Sequence, residues 1–511
     1  MATNTSSPSS ALPPLATAEA DFISRFPAYA TTTTIDELRA SEYGRLAARG
    51  ETYLDYTGAS IYALSQVNTH VDLLSRLVAG NPHSGNVPSR TTTALIDRAR
   101  RRVLDFFRAQ PDEYEVIFTP NATGALKLIA ESYPFQPGSR YLLTTDNHNS
   151  VNGIRQFARQ RGATVEYAPI SGIDLRIDAP ALLDHLANPA PGPKLFAYPA
   201  QSNFSGVRHS LDWIDEARQR GWDVVLDAAA FVPTSRLDLS RYPADFVPVS
   251  FYKMFGYPTG LGALLARRPA LERLQRPWYA GGTTSLSSVS AAEVEGGGFY
   301  LTPGSARFEE GTVNYLSIPA IEIGFDWIES IGIDRISVRT QLLTAWLLEQ
   351  LQQLRHRNGR PLVRVYGPPD TRDRGGNIAL NILDASGALW NCERVESLAN
   401  ERQISVRSGC HCNPGAREVA LGYPRTLLTG CLKDTEHTPF EEFMRASRVC
   451  RDGVVRVSVG IASNFEDAYR FVDFARSFTD RHAPLHQRAL FTRRHCQGCR
   501  RWRGRIDGRN R

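Results

Sequence analysis

The sequence predicts an α/β protein, with a large domain built on a mostly parallel sheet and a smaller α+β domain after it. Two observations carry this. Short apolar runs recur as strands from residue 116 to 265 with helical stretches between several of them, and alternating strand and helix means a mostly parallel sheet with helices on both faces. From Ile318 the pattern changes to a long helical stretch followed by a few more strands. Ligands of such sheets bind at the carboxyl ends of strands, so the loops just after strands should carry the chemistry.

The elements follow in order. Tyr53–Tyr56 reads as a short strand closed by Thr57-Gly58, and Leu95–Phe107 as a helix. Strands are expected at Val116–Thr119, Tyr141–Thr144, Thr164–Ala168, Leu195–Tyr198, Val224–Leu226, Phe246–Val249 and Gly262–Leu265. Helices are expected at Ala125–Ser132, Gly153–Gln160 and Leu211–Arg220. Ile318–Leu354 is expected to be mostly helical. It leads to strands at Val363–Tyr366, Asn377–Ile382, Ile404–Val406 and Val454–Val459, and to helices at Cys392–Glu401 and Asn464–Phe474. The implied organisation is a disordered lead-in (1–20), an N-terminal segment of the small domain (21–95), the large domain (96–320), the rest of the small domain (321–478) and a basic tail (479–511).

Composition narrows the function. At 511 residues the chain is too long for one simple core. Residues 481–511 hold ten Arg and one Asp, so the net charge of +6 leaves the rest at −3. Nucleic-acid binding by the body therefore has no electrostatic support. No apolar run is long enough to span a bilayer, and the N-terminus lacks the features of a secretory signal. Seven scattered cysteines suggest a reducing compartment, here the cytoplasm. Only Lys127, Lys194, Lys253 and Lys433 could form an imine, because arginine stays protonated.

Four post-strand features stand out. Lys253 follows the strand Phe246–Val249 through Ser250-Phe251-Tyr252, with glycines close behind, and burial would make its amine nucleophilic. A lysine on a solvated loop is the plain alternative. Asp227 ends a strand and could hold a pyridinium nitrogen or cap a helix. Asn121-Ala122-Thr123-Gly124 opens a helix and could cradle a phosphate or be a simple cap. His148 could stack on a ring or be structural. The loop Arg407-Ser408-Gly409-Cys410-His411-Cys412-Asn413-Pro414-Gly415 allows metal, redox or sulfur chemistry. Metal is the weakest of these, since two thiols one residue apart rarely chelate one zinc and no second ligand pair is near. His495–Cys499 resembles half a zinc knuckle without its partner half, and Cys431 and Cys450 read as buried thiols.

Taken in order, Phe118–Thr123, Asn147-His148, Ser202–Gly206, Leu226–Ala229, Ser250–Lys253, Arg307–Thr312, Arg407–Cys412 and Arg456–Ser458 resemble the class V aminotransferase/cysteine desulfurase superfamily. That resemblance covers about residues 50–475 and implies a fold-type I enzyme using pyridoxal 5'-phosphate. It implies that Lys253 holds the cofactor and shuttles a proton, that Asp227 pairs the ring nitrogen, and that His148 stacks on the ring and assists proton transfer. It further implies that Asn203 contacts the ring hydroxyl, that Ala122, Thr123, Ser250 and Tyr252 face the phosphate, and that Thr312 reaches the phosphate of a partner subunit in a homodimer. Arg407 would clamp the substrate carboxylate. Ala230 departs from the pattern, because desulfurases usually carry Gln there.

Gly409–Ala416, Asn81–Ser84 and Gly460–Asp467 resemble the N-terminal domain of the molybdenum cofactor sulfurase family. This implies L-cysteine as substrate, a persulfide on Cys412 with Arg407 and His411 lowering its thiol pKa, and the molybdenum cofactor, or a protein carrying it, as acceptor. A class V transaminase or lyase, or a desulfurase serving another acceptor, is the alternative, favoured by Ala230 and by the lack of the family's C-terminal cofactor-binding domain.

Overall fold

The computed structural model describes residues 12–172, 174–293, 297–423 and 453–483. Seven strands form the large sheet: β1 (Tyr114–Thr119), β2 (Arg140–Thr144), β3 (Thr164–Ala168), β4 (Lys194–Pro199), β5 (Asp223–Asp227), β6 (Phe246–Ser250) and β7 (Gly262–Arg267). Their order is β3-β2-β4-β5-β6-β7-β1, and only β7 runs against the rest. Successive residues of a strand enter opposite cores, as the two-residue period demands. Val224 and Leu226 belong to one apolar cluster, Val225 to the other.

The smaller sheet is antiparallel: β8 (Val363–Tyr366), β9 (Asn377–Ile382), β10 (Arg407–Gly409) and β11 (Val454–Ser458), in the order β8-β9-β11-β10. Helices Ile333–Gln353, Cys392–Asn400 and Phe465–Arg476 share an apolar cluster with β8, β9 and β11. The stretch from Ile318 is two helices, because Gly332 takes φ +91° between Pro319–Ile331 and Ile333–Gln353. The first of these packs with the large-sheet side and the second mainly with the small sheet.

Several elements differ from expectation. The helix expected from Leu95 begins at Val87, where the Asn86 side chain accepts from the Ser89 amide and Pro88 opens the first turn. The strand expected at Tyr53–Tyr56 is only Thr52–Tyr53, paired in parallel with Ile404–Ser405. The lead-in expected to lack structure through residue 20 is helical from Leu15 to Arg25. Ala18 and Phe22 are buried there, and Phe22 stacks on Phe465 at 4.7 Å between centroids. Burying one such ring is worth about 2–3 kcal/mol and helps hold the helix against the chain's entropy. Cys431, Cys450, Cys496 and Cys499 lie outside the described residues, as does most of the basic tail.

Candidate active site

The carboxyl ends of β2, β4, β5 and β6 converge on one cleft of about 170 Å³, lined by Thr123, His148, Asn203, Asp227, Ser250, Tyr252 and Lys253 among others. That is room for a small ligand rather than a single water, whose share of the liquid is about 30 Å³.

Lys253 sits in the short helix Phe251–Phe255 directly after β6. Burial pushes its amine below the ordinary lysine value, and the positive charges of Arg456 and Arg407 act the same way, while Asp227 and Cys412 oppose them. The amine is thereby moved toward a nucleophilic state. Asp227 closes β5, and its Oδ1 accepts from the Ala229 amide at 3.1 Å, which aims the carboxylate. His148 caps a one-turn helix by accepting the Ser150 amide on Nδ1 at 3.1 Å. In the neutral ring the proton therefore sits on Nε2. Burial first, then Lys253 and Arg456 against the pull of Asp227, hold His148 below the usual histidine range, so it is neutral at pH 7.

The turn after β1 is tied to β6. The Ala122 amide donates to Ser250 Oγ at 2.9 Å, and Thr123 Oγ1 lies 2.8 Å from Ser150 Oγ. Asn121 caps the helix Ala122–Ser132 by accepting the Gly124 amide at 3.0 Å. Gly262 permits this closeness: a Cβ there would meet Asn121 backbone atoms at 2.7 Å. Hydroxyls and a helix N-terminus then face one place, a setting that favours an anion. Thr312 is elsewhere in this chain. It lines a second cavity of about 400 Å³ with Thr119 and Gly124, and its hydroxyl accepts from Asn81 at 3.3 Å. Ala230 lines the main cleft, as does Gln201, whose amide is engaged by Asn377 at 3.0 Å and Arg208 at 3.2 Å.

The small sheet brings a second set of residues near this cleft, where the charges of Arg456, Arg407 and Cys412 act on the Lys253 amine. Arg407 and Arg456 face each other on neighbouring strands β10 and β11 and share one carboxylate. Asp55 accepts from Arg407 Nε at 2.9 Å on Oδ2 and from Arg456 Nη2 at 2.8 Å on Oδ1. The Arg456 side chain is 3% exposed and that of Arg407 50%. Arg456 Nη1 also donates to the Asn203 carbonyl at 3.0 Å. Sequence reasoning gave Asp55 and Arg456 no role. The Arg456-Val457-Ser458 motif was the only signal, and the partners lie 401 residues apart.

Cys410–Asn413 is a tight turn. The Asn413 amide donates to the Cys410 carbonyl at 3.0 Å, and His411 and Cys412 both take left-handed φ, 55° and 54°. Such turns ordinarily use Asn or Gly, so two other residues there carry strain. The turn is pinned by Asn203 Nδ2 donating to the His411 carbonyl at 2.7 Å and by the Asn149 backbone amide donating to the Cys412 carbonyl at 2.7 Å. Cys412 is exposed and Cys410 half-buried. His411 corrects an expectation. It is buried beside Phe204, and burial with the charges of Arg456 and Arg407 drives it well below the usual histidine range. A neutral imidazole cannot lower the thiol pKa by charge.

The aminotransferase class-V family model matches residues 52–471. Curated relatives include molybdenum cofactor sulfurases from Bos taurus (38% identical over 86% of this chain and 51% of the relative), Homo sapiens (37%; 86% and 51%) and Arabidopsis thaliana (35%; 86% and 57%). The chain spans about half the length of the curated relatives it matches. Among solved structures it resembles a cysteine desulfurase from Thermococcus onnurineus NA1 (TM-score 0.71, 23% identity, 87% of this chain and 98% of the other). It also resembles the cysteine desulfurase CsdA from Escherichia coli (TM-score 0.69, 21% identity, 87% and 98%). These structures share the fold, and with the family match the conclusion is direct: this chain belongs to the class-V aminotransferase family.

Proposed function

We propose that the chain is a pyridoxal 5'-phosphate-dependent L-cysteine desulfurase whose Cys412 takes up sulfur and delivers it to the molybdenum cofactor or a protein carrying it. One observation carries this reading: an exposed thiol, Cys412, sits on a turn pinned over the His148 and Asn203 loops, near enough for its charge to act on the Lys253 amine. A transaminase needs the lysine but no such thiol. The relatives named molybdenum cofactor sulfurase support the acceptor.

The donor set fits the cofactor. A buried amine of lowered pKa suits a carbonyl, a strand-end carboxylate suits a protonated ring nitrogen, and a helix N-terminus beside three hydroxyls suits a phosphate. When bound, the group supplies an electrophilic carbonyl and a ring that accepts electrons. Lys253, Asp227, His148 and Asn203 would hold its reactive end, and Ala122, Thr123, Ser250 and Tyr252 the phosphate end. Lys253 then moves the Cα proton of L-cysteine. The Cys412 thiolate attacks the substrate sulfur as the substrate Cβ–S bond breaks. The bonding pair stays with carbon, which is protonated and leaves as alanine, and Cys412 keeps the sulfur as a persulfide. No outside oxidant or reductant is needed. Arg407 and Arg456 flank the place for the substrate carboxylate.

In the same reading the chain is a cytoplasmic homodimer, with Thr312 completing the phosphate site of the partner. Among the described residues, no helix is long and apolar enough to cross a membrane. The test is direct. Protein loaded with pyridoxal phosphate should release alanine from L-cysteine and gain the mass of one sulfur atom on the Cys412 peptide. A Cys412→Ala variant should keep the absorbance of the bound cofactor but form no persulfide. No alanine from loaded protein, or amino transfer to a keto acid untouched by Cys412→Ala, would overturn the proposal.

A further inference from the structure

Asn413 is fully buried, and its carboxamide is used on both ends. Its Nδ2 donates to the Asp146 carbonyl at 2.6 Å and to Asn203 Oδ1 at 3.0 Å, and its Oδ1 accepts the Ala416 amide at 3.2 Å. The third bond caps the helix Pro414–Leu421, as an asparagine at that position commonly does. The first two have no capping purpose. They cross from the small-sheet side to the loops after β2 and β4, where His148 and Asn203 sit. Asn203 returns the contact through the His411 carbonyl, and the Asn149 amide holds the Cys412 carbonyl. Two residues later, Gly415 lies so close to Thr145 that a Cβ would overlap its carbonyl oxygen. The turn between these anchors holds two non-glycine residues at left-handed φ, a conformation that persists only where the surroundings enforce it.

We propose that Asn413 is a positioning residue: its carboxamide latches the Cys410–Asn413 turn to the Asp146 and Asn203 loops and so fixes the Cys412 thiol in place while sulfur arrives and leaves. This rests on the desulfurase reading. It adds that the loop does not swing out with its sulfur, so the acceptor has to reach Cys412 where it stands.

The test separates latch from cap. Asn413→Ser retains a hydroxyl that can cap the helix but is too short to bridge Asp146 and Asn203. Hydrogen exchange of the protein without substrate reads the latch directly, through the Asn149 and Asn413 amides that bond to the turn. Loss of two buried hydrogen bonds should speed both by about 10- to 100-fold, with amides of β11 unchanged. In turnover, kcat should fall by about tenfold or more with KM for L-cysteine nearly constant, as expected when the reacting geometry loosens. Unchanged exchange at Asn149 and Asn413 would reduce the residue to a cap and overturn the proposal. Should Asn413→Ser not fold, Asn413→Asp keeps a capping oxygen but cannot donate to Asp146 or Asn203, and unchanged exchange there would overturn it equally. The exchange result holds whether or not wild-type protein releases alanine, so failure of the latch and failure of the desulfurase reading are told apart.

Discussion

The two sides of the site, the large-sheet wall of the cleft and the small-sheet wall near Lys253, are built on different principles. The large-sheet wall mounts Asp227 and Lys253 at or just past the ends of β5 and β6, strands whose interiors are fully buried. Position there follows from the strand. The small-sheet wall mounts Arg407, Arg456 and the Cys412 turn on short strands and a strained turn, held by side chains reaching across the chain. Position there follows from charge and hydrogen bonding. The first wall should tolerate loss of a functional group, whereas the second should lose stability when a buried member of its network loses its partner.

The largest effect should come from Lys253→Ala. Alanine release should drop by at least about 10²-fold, since proton transfer alone is worth about 10²–10⁴. Thermal stability should hold or rise, because a buried amine is removed. A melting temperature that collapses with activity would break the comparison. Next is Asp55→Ala, which strands Arg456 at 3% exposure without its carboxylate. Losing one partner of a buried pair costs about 3–5 kcal/mol, readable as a shifted denaturant midpoint. Arg407→Ala, at 50% exposure, should cost less than about 1 kcal/mol.

A smaller effect is in pH. His411 is held well below 6.5 in the folded chain, so between those values the unfolded chain binds a proton that the folded one does not. Its contribution is complete above 6.5 and is lost as pH falls through that value, by at most about 1.4 kcal/mol per pH unit. His411→Asn should flatten the slope of stability against pH just below 6.5, and an unaltered slope would show the imidazole to be freely protonated. The smallest change is Ser250→Ala on the large-sheet wall. It removes the acceptor of the Ala122 amide, for about 1 kcal/mol by denaturation, with weaker retention of pyridoxal phosphate on dialysis.

The same contrast explains what could be seen in the sequence. Strand-end chemistry is local: an apolar run followed at once by Asp227 or Lys253 announces itself, and the seven large-sheet strands fall where the runs are. Asp55 could not be found that way. It looks like any acid after a short apolar pair, and it gains meaning only from arginines about 350 and 400 positions away. The strand Thr52–Tyr53 is two residues long and exists only because Ile404–Ser405 pairs with it. The helix Leu15–Arg25 is hidden by a composition that resembles a flexible lead-in, and its contacts with Trp346 and Phe465 reveal it. His411 carried a misleading local signal. An imidazole between two thiols suggests a charge that lowers a thiol pKa, but its burial beside Phe204 decides otherwise.

Asp55 also sets a threshold for entry. One carboxylate between two guanidiniums leaves a single positive charge uncompensated at the mouth of the site, and the half-exposed Arg407 carries most of it toward solvent. A molecule with one free carboxylate brings that corner to neutrality, whereas a dicarboxylate overshoots it and a neutral thiol leaves it unanswered. If the carboxylate of the proposed substrate lands there, the pair of arginines should sort incoming small molecules by valence before any bond is made or broken. Because Arg407 is partly in water, that sorting should weaken as ionic strength rises.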